Sequence, residues 1–191
     1  MARTYTLKRR AEQQAQTRLR IVEAAVKLHG TVGPALTTIS MVAEEAGVQR
    51  HTLYAHFPDE RSLLMACSGL AVERDPMPEA APWRSIADRG ERLKVGLGAI
   101  YAWYERNAGL LACVLRDVEH HALVKEVSDL RYGPYFAAYH DVLGTKLNAR
   151  QRAMLQLALS FFTWRSLSRE SGLSRNAAVA AMVAAIDPEA G

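Results

Sequence analysis

Apolar residues recur at helical spacing through most of the 191-residue chain, and the strict alternation of apolar and polar residues that marks a half-buried strand is nearly absent. Glycine and proline interrupt the pattern at intervals, as they do at the ends of helices. Because 49% of the residues are hydrophobic and 23% are charged, the composition is globular rather than disordered or fibrous. The sequence therefore predicts an all-α protein.

The cysteine content and the hydropathy of the sequence indicate in which cellular compartment this protein is expected. The two cysteines, Cys67 and Cys113, cannot form a disulfide framework, and no ladder of cysteines and histidines indicates structural zinc. No stretch approaches the roughly 20 unbroken apolar residues of a membrane helix, and the basic first segment lacks the apolar run of a signal peptide. We expect a cytoplasmic protein with no membrane partner, no metal and no other cofactor.

Positive charge is concentrated at the start of the chain. Six basic residues and one acid, Glu12, fall within the first 20 residues, so this segment carries a net charge of +5, whereas the whole chain carries +4. Such a segment is typical of a contact with nucleic acid, and equally of a solvated, disordered terminus. The basic residues are Arg3, Lys8, Arg9, Arg10, Arg18 and Arg20.

Four helices are predicted before residue 75. Thr37 or Thr38 can cap the second by accepting a backbone N–H bond, and Gly47 ends it because glycine readily adopts the left-handed conformation. Pro58 ends the third helix, and Asp59 can cap the fourth. The predicted spans are about 12–30, 39–46, 50–57 and 60–74.

The second and third of these helices, joined by a glycine turn, have the outline of a helix-turn-helix. In that motif the second helix enters the major groove of DNA while the first crosses the backbone. Apolar Val48, Leu53 and Phe57 would anchor the second helix from one face. An ordinary helical hairpin with a polar outer face is the alternative. The residues left to point outward are of types that reach bases and phosphates: Arg50, His51, Thr52 and Tyr54.

Segments 37–48, TTISMVAEEAGV, and 52–58, TLYAHFP, resemble the TetR family of bacterial transcriptional regulators. Segment 160–167 also resembles the penultimate helix of that family. The resemblance implies a three-helix DNA-binding domain with a helix-turn-helix over residues 1–58. It further implies a helical ligand-binding and dimerisation domain over residues 59–191.

The resemblance also implies roles for single residues. Positions that meet bases in the family correspond to Arg50 and His51, and positions that touch phosphates correspond to Thr52, Tyr54 and His56. The predicted DNA-binding set is completed by Thr38, Gln49, Lys8, Arg9 and Arg10.

Two residues depart from the family's pattern. Gln49 stands where a serine cap is common, which predicts a less firm start for the third helix. Glu60 stands where lysine is usual, and an acid there repels phosphate. Arg61, beside it, is the candidate to restore the lost contact.

The proline-rich segment 75–82 is the clearest boundary in the sequence. Beyond it, the short turn at 171–173 predicts that the last two helices are antiparallel neighbours. The predicted helices are about 83–105, 109–118, 125–147 with a kink at Gly133 and Pro134, 149–170 and 174–186.

The helix that starts near Arg150 is apolar nearly all round, so it must be buried on most sides. The last helix is rich in alanine, which lets another helix approach closely. We interpret both as a homodimer interface that forms a four-helix bundle with a second copy, in agreement with the family; alternatively, both belong to the core of one chain. The predicted interface residues are Phe161, Trp164, Ala178, Ala181, Met182 and Ala185.

Aromatic and polar-tipped residues on the middle helices suggest a pocket, and the TetR resemblance implies an effector site there. Such side chains offer an apolar body and one hydrogen-bonding tip, which suits a small apolar or aromatic effector. Aromatic filling of the core is the alternative. The predicted ligand-binding residues are Tyr101, Trp103, Tyr104, His120, His121, Tyr135, Tyr139 and Phe162.

Enzymatic motifs are absent from the sequence: it has no Gly-rich phosphate loop and no nucleophile elbow. Adjacent histidines on a helix point about 100° apart, so His120 and His121 are not expected to share a metal. The resemblance instead implies a ligand-responsive, DNA-binding repressor that binds a palindromic operator as a dimer and is released by a small effector. The alternative is a helical small-molecule-binding or scaffold protein without specific DNA binding.

Overall fold

The computed structural model describes residues 2–188, with side chains from residue 7 onward, so the side chain of Arg3 lies outside the described part. Between residues 2 and 188 the chain contains helices and no strand, which confirms the all-α prediction. Short 3-10 turns lie at Pro34–Leu36 and Ala81–Ser85, and a π turn lies at Ser166–Glu170. The α-helices are α1 (Ala2–His29), α2 (Ile39–Glu45), α3 (Arg50–His56), α4 (Glu60–Arg74), α5 (Arg89–Val118), α6 (Ala122–Leu143), α7 (Ala149–Ala158), α8 (Phe161–Arg165) and α9 (Arg175–Ile186).

The chain folds into two compact units. The first unit contains the chain up to Arg74 together with Ala112–Arg131, and the second contains Asp75–Leu111 together with the chain from Tyr132 onward. Helices α5 and α6 therefore contribute to both units. The functional division at residue 58 remains a prediction; by packing, α4 belongs to the first unit.

Aliphatic side chains form the core of the first unit. Helix α1 packs against α2 and α4. Ile21 and Ala25 of α1 and Leu53 of α3 are completely buried in this core, and Val42 of α2 and Leu63 of α4 are nearly so. Burial of each large aliphatic side chain contributes roughly 1.5–3 kcal/mol, so a few anchors can hold helices of only seven residues.

Helix α1 begins at Ala2 and not near Glu12 as predicted. Neither glycine nor proline interrupts it, and its early residues are mostly good helix formers. Between residues 7 and 20 every side chain is exposed except half-buried Thr17. The basic residues at 8–10 therefore lie on a helix, which corrects the expectation of a disordered arm.

Capping residues set the bounds of α2 and α4 as predicted. The Thr38 hydroxyl accepts the Met41 N–H at 3.3 Å, and the Asp59 carboxylate accepts the Ser62 N–H at 2.7 Å. Gly47 has φ of +63°, the left-handed conformation that ends α2.

The second unit differs more from prediction. One continuous helix, α5, replaces the two helices predicted at 83–105 and 109–118. At the predicted break, the Asn107 amide donates to the Trp103 carbonyl within the helix and to the Asp75 carboxylate outside it. Helix α6 runs from Ala122 with Pro134 in its interior and ends before the predicted residue 147.

The helix predicted over 149–170 is broken at Leu159 and Ser160 into α7, α8 and the π turn. A broken helix leaves carbonyl groups without hydrogen-bond donors. Two tyrosines of α5 supply the missing donors. The Tyr101 hydroxyl donates to the Ala158 carbonyl at 3.0 Å, and the Tyr104 hydroxyl donates to the Leu159 carbonyl at 2.6 Å. Helix α7 packs against α9, in agreement with the predicted neighbours.

Among the helices described between residues 2 and 188, none combines the length and apolar character needed to cross a membrane.

Candidate nucleic-acid interface

Helices α2 and α3 are joined by a tight turn around Gly47. The Gly47 N–H donates to the Glu44 carbonyl at 3.0 Å, and the Val48 N–H donates to the Ala43 carbonyl at 2.9 Å. These bonds satisfy carbonyls at the end of α2 and set the direction in which the chain enters α3. The arrangement is the helix-turn-helix that the sequence predicts.

Helix α3 has one buried and one exposed face. Leu53 and Phe57 are almost completely buried, and the Arg18 guanidinium of α1 lies 4.7 Å above the Phe57 ring. Because these anchors fix the rotation of α3, the opposite face projects away from the core. Among the predicted DNA-binding residues, Thr38, Gln49, Arg50, His51 and Tyr54 are exposed, and Thr52 and His56 are half-buried.

The start of α3 is weakly capped, as predicted. The Gln49 side chain makes no capping bond, and only its backbone carbonyl accepts from Thr52 and Leu53. A serine or threonine at such a position contributes about 1 kcal/mol to helix stability. The burial of Leu53 therefore does more than the cap to hold α3.

The basic residues Lys8, Arg9 and Arg10 are all exposed on α1. Successive residues on an α-helix point about 100° apart, so these three side chains spread around the helix. Their contacts with DNA remain a prediction.

The start of α4 carries Glu60, which departs from the family's usual charge pattern, and Arg61, the candidate to compensate for it. The Glu60 carboxylate lies 3.4 Å from the His121 Nε2 atom, and both Arg61 Nε and Nη2 donate to the Glu126 carboxylate, the latter at 2.8 Å. The pairing of Arg61 with Glu126 competes with the predicted compensating contact to phosphate.

A buried carboxylate fixes the loop before α2. Asp117 accepts the Ala35 N–H at 2.9 Å and the Arg116 Nε–H at 2.7 Å, and Arg116 also donates to the Val32 carbonyl. Burial raises the pKa of Asp117, but the bonds from Arg116 and the Ala35 N–H outweigh it, and the pKa lies below its ordinary value. Gly33 has φ of +99°, and a Cβ there would lie 2.2 Å from an Arg116 nitrogen.

A second polar pair lies inside the core of the first unit. The His29 Nδ1 atom is 3.4 Å from the Cys67 Sγ atom, and both residues are buried. Burial lowers the pKa of His29 to about 4, against the opposing charge of Asp117. Burial raises the pKa of Cys67 to about 12, so this thiol is unreactive at neutral pH.

The same part of the chain matches known regulators. Residues 21–67 match the family described as "Bacterial regulatory proteins, tetR family". A 59-residue segment is 42% identical to the HTH-type transcriptional regulator TtgR of Pseudomonas putida. This segment, and with it the helix-turn-helix, is similar to the TetR family. The TtgR match covers 30% of this chain and 28% of that relative, and it is to a regulator and not to an enzyme.

Two solved structures share the fold over most of this chain. FadR from Bacillus subtilis, in complex with stearoyl-CoA, has a TM-score of 0.61 at 16% identity, over 88% of this chain and 97% of that one. A tetR-family transcriptional regulator from Streptomyces coelicolor has a TM-score of 0.55 at 18% identity, over 87% of this chain and 78% of that one. At these identities the likeness is one of fold.

The predicted ligand-binding residues do not share one environment. His120 and His121 lie in the first unit, in the turn between α5 and α6 and not on a helix, where the Asp117 carbonyl accepts both N–H groups. In the second unit, Phe162 is exposed and Tyr135 is half-buried. The other four are buried, and their polar tips donate to backbone carbonyls: Tyr101, Trp103, Tyr104 and Tyr139.

The predicted dimer residues also divide into two groups. Ala181 is exposed and Ala185 is half-buried. The remaining four are buried within the chain's own second unit: Phe161, Trp164, Ala178 and Met182. Two further apolar side chains of the helix that the sequence assigned to the interface, Leu157 and Phe162, are exposed.

Sequence reasoning missed the carboxylate that fixes the loop before α2. The Ala35 N–H and the Asp117 carboxylate are 82 positions apart in the chain. No local spacing reveals such a pair. The sequence signal for a constrained loop before α2 is Gly33. A glycine before a proline in a short loop indicates a backbone conformation that other residues adopt poorly.

Proposed function

We propose that this protein is a cytoplasmic transcriptional repressor of the TetR family that binds a palindromic DNA operator as a homodimer and leaves it when a small effector binds. The observation that carries the proposal is the exposed face of α3. Arg50, His51 and Tyr54 project from a helix that buried Leu53 and Phe57 hold in one rotation. A rigid helix with exposed arginine, histidine and tyrosine suits insertion into a major groove.

Arg50 is the proposed base-reading residue, since its guanidinium can donate to both acceptors of one guanine. Tyr54 lies one turn further along the same face, where its hydroxyl suits a phosphate. The exposed cations of α1 add contacts that carry no sequence information. Operator binding should therefore weaken steeply with added salt.

The dimer is proposed to use the exposed apolar surface of the second unit. On α9, Ala180, Ala181 and Ala184 are exposed, and Leu157 and Phe162 are exposed on α7 and α8. In a dimer the two copies of α3 would be spaced by about one DNA turn, roughly 34 Å. Ala181→Glu should yield monomers in sedimentation, whereas Ala122→Glu, a matched change at an exposed site of the first unit, should leave the dimer intact.

The effector is proposed to be a small apolar or aromatic molecule bound in the second unit. Phe162 and Tyr135 are the predicted ligand residues of this unit that keep part of their surface exposed. A protein of the same fold, FadR from Bacillus subtilis, was solved in complex with stearoyl-CoA. The stearoyl chain in that complex supports a ligand with an apolar part for this fold and does not name the ligand of this chain.

Binding-site selection followed by gel shifts tests the proposal. The protein should select a palindrome and shift DNA from upstream of its own gene. Arg50→Ala should relax the preference at one base pair in each half-site, a loss of about 1–3 kcal/mol in discrimination. Tyr54→Phe should weaken all sequences alike, and Arg152→Ala, at an exposed position of α7, should change nothing. Selection of no common sequence would favour the alternative, a helical binding protein without specific DNA contact.

A further inference from the structure

A cavity of about 300 Å³ lies within the first unit. The end of α1, the loop before α2, the starts of α2 and α4 and the turn before α6 all contribute to its wall. Much of this wall is apolar, with Ile39 and Val42 on one side and Leu63 and Leu64 on another. A volume at the low end of the range for ligand pockets fits a small molecule.

One carboxylate faces this cavity with spare bonding capacity. Glu60 lines it and lies 3.4 Å from the His121 Nε2 atom, which is long for a hydrogen bond. His121 Nδ1 lies 3.4 Å from the Val124 backbone nitrogen, so neither ring nitrogen forms a short hydrogen bond with these partners. A carboxylate has about four acceptor positions, and a shorter, charge-assisted bond to Glu60 is therefore available to a ligand.

The lining charges favour a cation over an anion. Among the described residues of this wall, Glu60 is the acid, and neither lysine nor arginine contributes. His29 also lines the cavity, but burial lowers its pKa to about 4, so it adds no positive charge at neutral pH. His121 lies beside Glu60 in the same wall, and an anionic ligand would meet the charge of Glu60 with no lysine or arginine among the described lining residues to offset it.

We propose that this cavity binds a small organic cation, a primary amine with a compact apolar body. Its ammonium group donates to Glu60 in place of His121, and its body packs against Ile39, Val42 and Leu63. The site is distinct from the effector site proposed for the second unit.

An occupant of this cavity touches two elements of the DNA-binding unit at once. Thr38 caps α2 and lines the cavity, and Glu60 begins α4. A bound amine therefore biases the spacing between α2 and α4 and with it the operator affinity. By linkage, the operator changes the amine affinity by the same factor. This coupling, unlike the binding itself, rests on the proposed DNA-binding function.

Three probes of similar shape test the binding with the full chain and no DNA. In an NMR titration, benzylamine should bind with a Kd on the order of 1 mM. Because the Glu60 side chain is 53% exposed, solvent screens its charge, and benzylamine should bind about two- to fivefold more tightly than neutral benzyl alcohol, with anionic benzoate binding least. Glu60→Gln preserves the shape but removes the charge, so it should weaken benzylamine about two- to fivefold and leave benzyl alcohol unchanged. The matched control, Glu73→Gln at the exposed far end of α4, should bind all three probes like the parent.

The location of binding is read from methyl resonances of Val42 and Leu63, which should shift with benzylamine. Equal affinities for the three probes, an unchanged benzylamine affinity in Glu60→Gln, or shifts confined to other methyls would overturn the site. If benzylamine binds as expected and operator affinity stays constant, the coupling to DNA is overturned and the site stands. A protein that binds no operator overturns the proposed function without affecting the titration, which contains no DNA.

Discussion

The two units of this protein are stabilised by different kinds of contact. In the first unit, aliphatic anchors such as Leu53 hold short helices, and a few partnered polar groups such as His29 and Asp117 are buried among them. In the second unit, aromatic rings pack on one another: Tyr104 contacts Phe161 edge to face at 5.6 Å and Trp164 at 6.0 Å. The first unit thus depends on a few anchors, and the second on a connected cluster.

The difference has a consequence for the backbone. In the first unit, local caps set the starts of α2 and α4, and the distant Asp117 side chain holds the loop before α2. The irregular end of α7 in the second unit depends on tyrosine hydroxyls, because its carbonyls have no helical partner. All three tryptophans, Trp83, Trp103 and Trp164, belong to the second unit. Tryptophan fluorescence therefore follows the second unit, whereas far-UV circular dichroism follows both.

The largest effect is expected for Leu53→Ala. Truncation of a completely buried leucine costs about 2–5 kcal/mol through lost burial and the cavity left behind. Urea unfolding followed by circular dichroism should show an early loss of part of the helix signal, while tryptophan fluorescence changes later. Coincident shifts of both signals would mean that α5 and α6, which belong to both units, make them unfold as one.

Acid should destabilise the first unit next most strongly. Because burial lowers the pKa of His29 from 6.5 to about 4, the unfolded chain binds a proton in that window and the folded chain does not. Stability is therefore full above pH 6.5 and falls as the pH drops toward 4, by about 3 kcal/mol. The measurement is the free energy of unfolding against pH.

The matched variant for the acid effect is His29→Gln, which removes the titrating group and keeps a polar side chain beside Cys67. Its stability should be nearly flat between pH 6.5 and 4. The lowered pKa of Asp117 acts in another window, since its contribution is lost only below the ordinary value of 3.8. A parent-like slope in His29→Gln would assign the acid sensitivity to other groups.

The sequence predicted the first unit better than the second for a physical reason. Thr38, Gly47 and Asp59 set helix ends through bonds to residues at most four positions away. The break at Ser160 depends on Tyr101 and Tyr104, which are more than 50 positions away, and no periodicity contains that information. The exposed face of α3 could be predicted from local spacing. The bond between the Asp117 carboxylate and the loop before α2 could not, because its partners are far apart in the chain.

Tyr104→Phe should have a smaller effect, confined to the second unit. The ring and its packing are kept, but the carbonyl of buried Leu159 loses its donor. Leaving a buried acceptor unpaired costs about 1–3 kcal/mol. Fluorescence-detected unfolding should move to lower urea. Tyr54→Phe, at an exposed position of the first unit, is the control and should leave the unfolding curve unchanged.

Ser160→Ala should have the smallest effect of the series. The Ser160 hydroxyl accepts the Phe162 N–H at 3.2 Å at the start of α8, and loss of such a cap costs about 1 kcal/mol. Ser174→Ala, which removes the cap of α9, should cost a similar amount, and exposed Ser171→Ala should cost nothing. If Ser160→Ala were as stable as Ser171→Ala, the tyrosine bonds alone would suffice to hold the broken helix. If Ser160→Ala is instead less stable than Ser171→Ala while the Tyr104 bond is kept, the break in the second unit also depends on a local cap, as the helix ends of the first unit do.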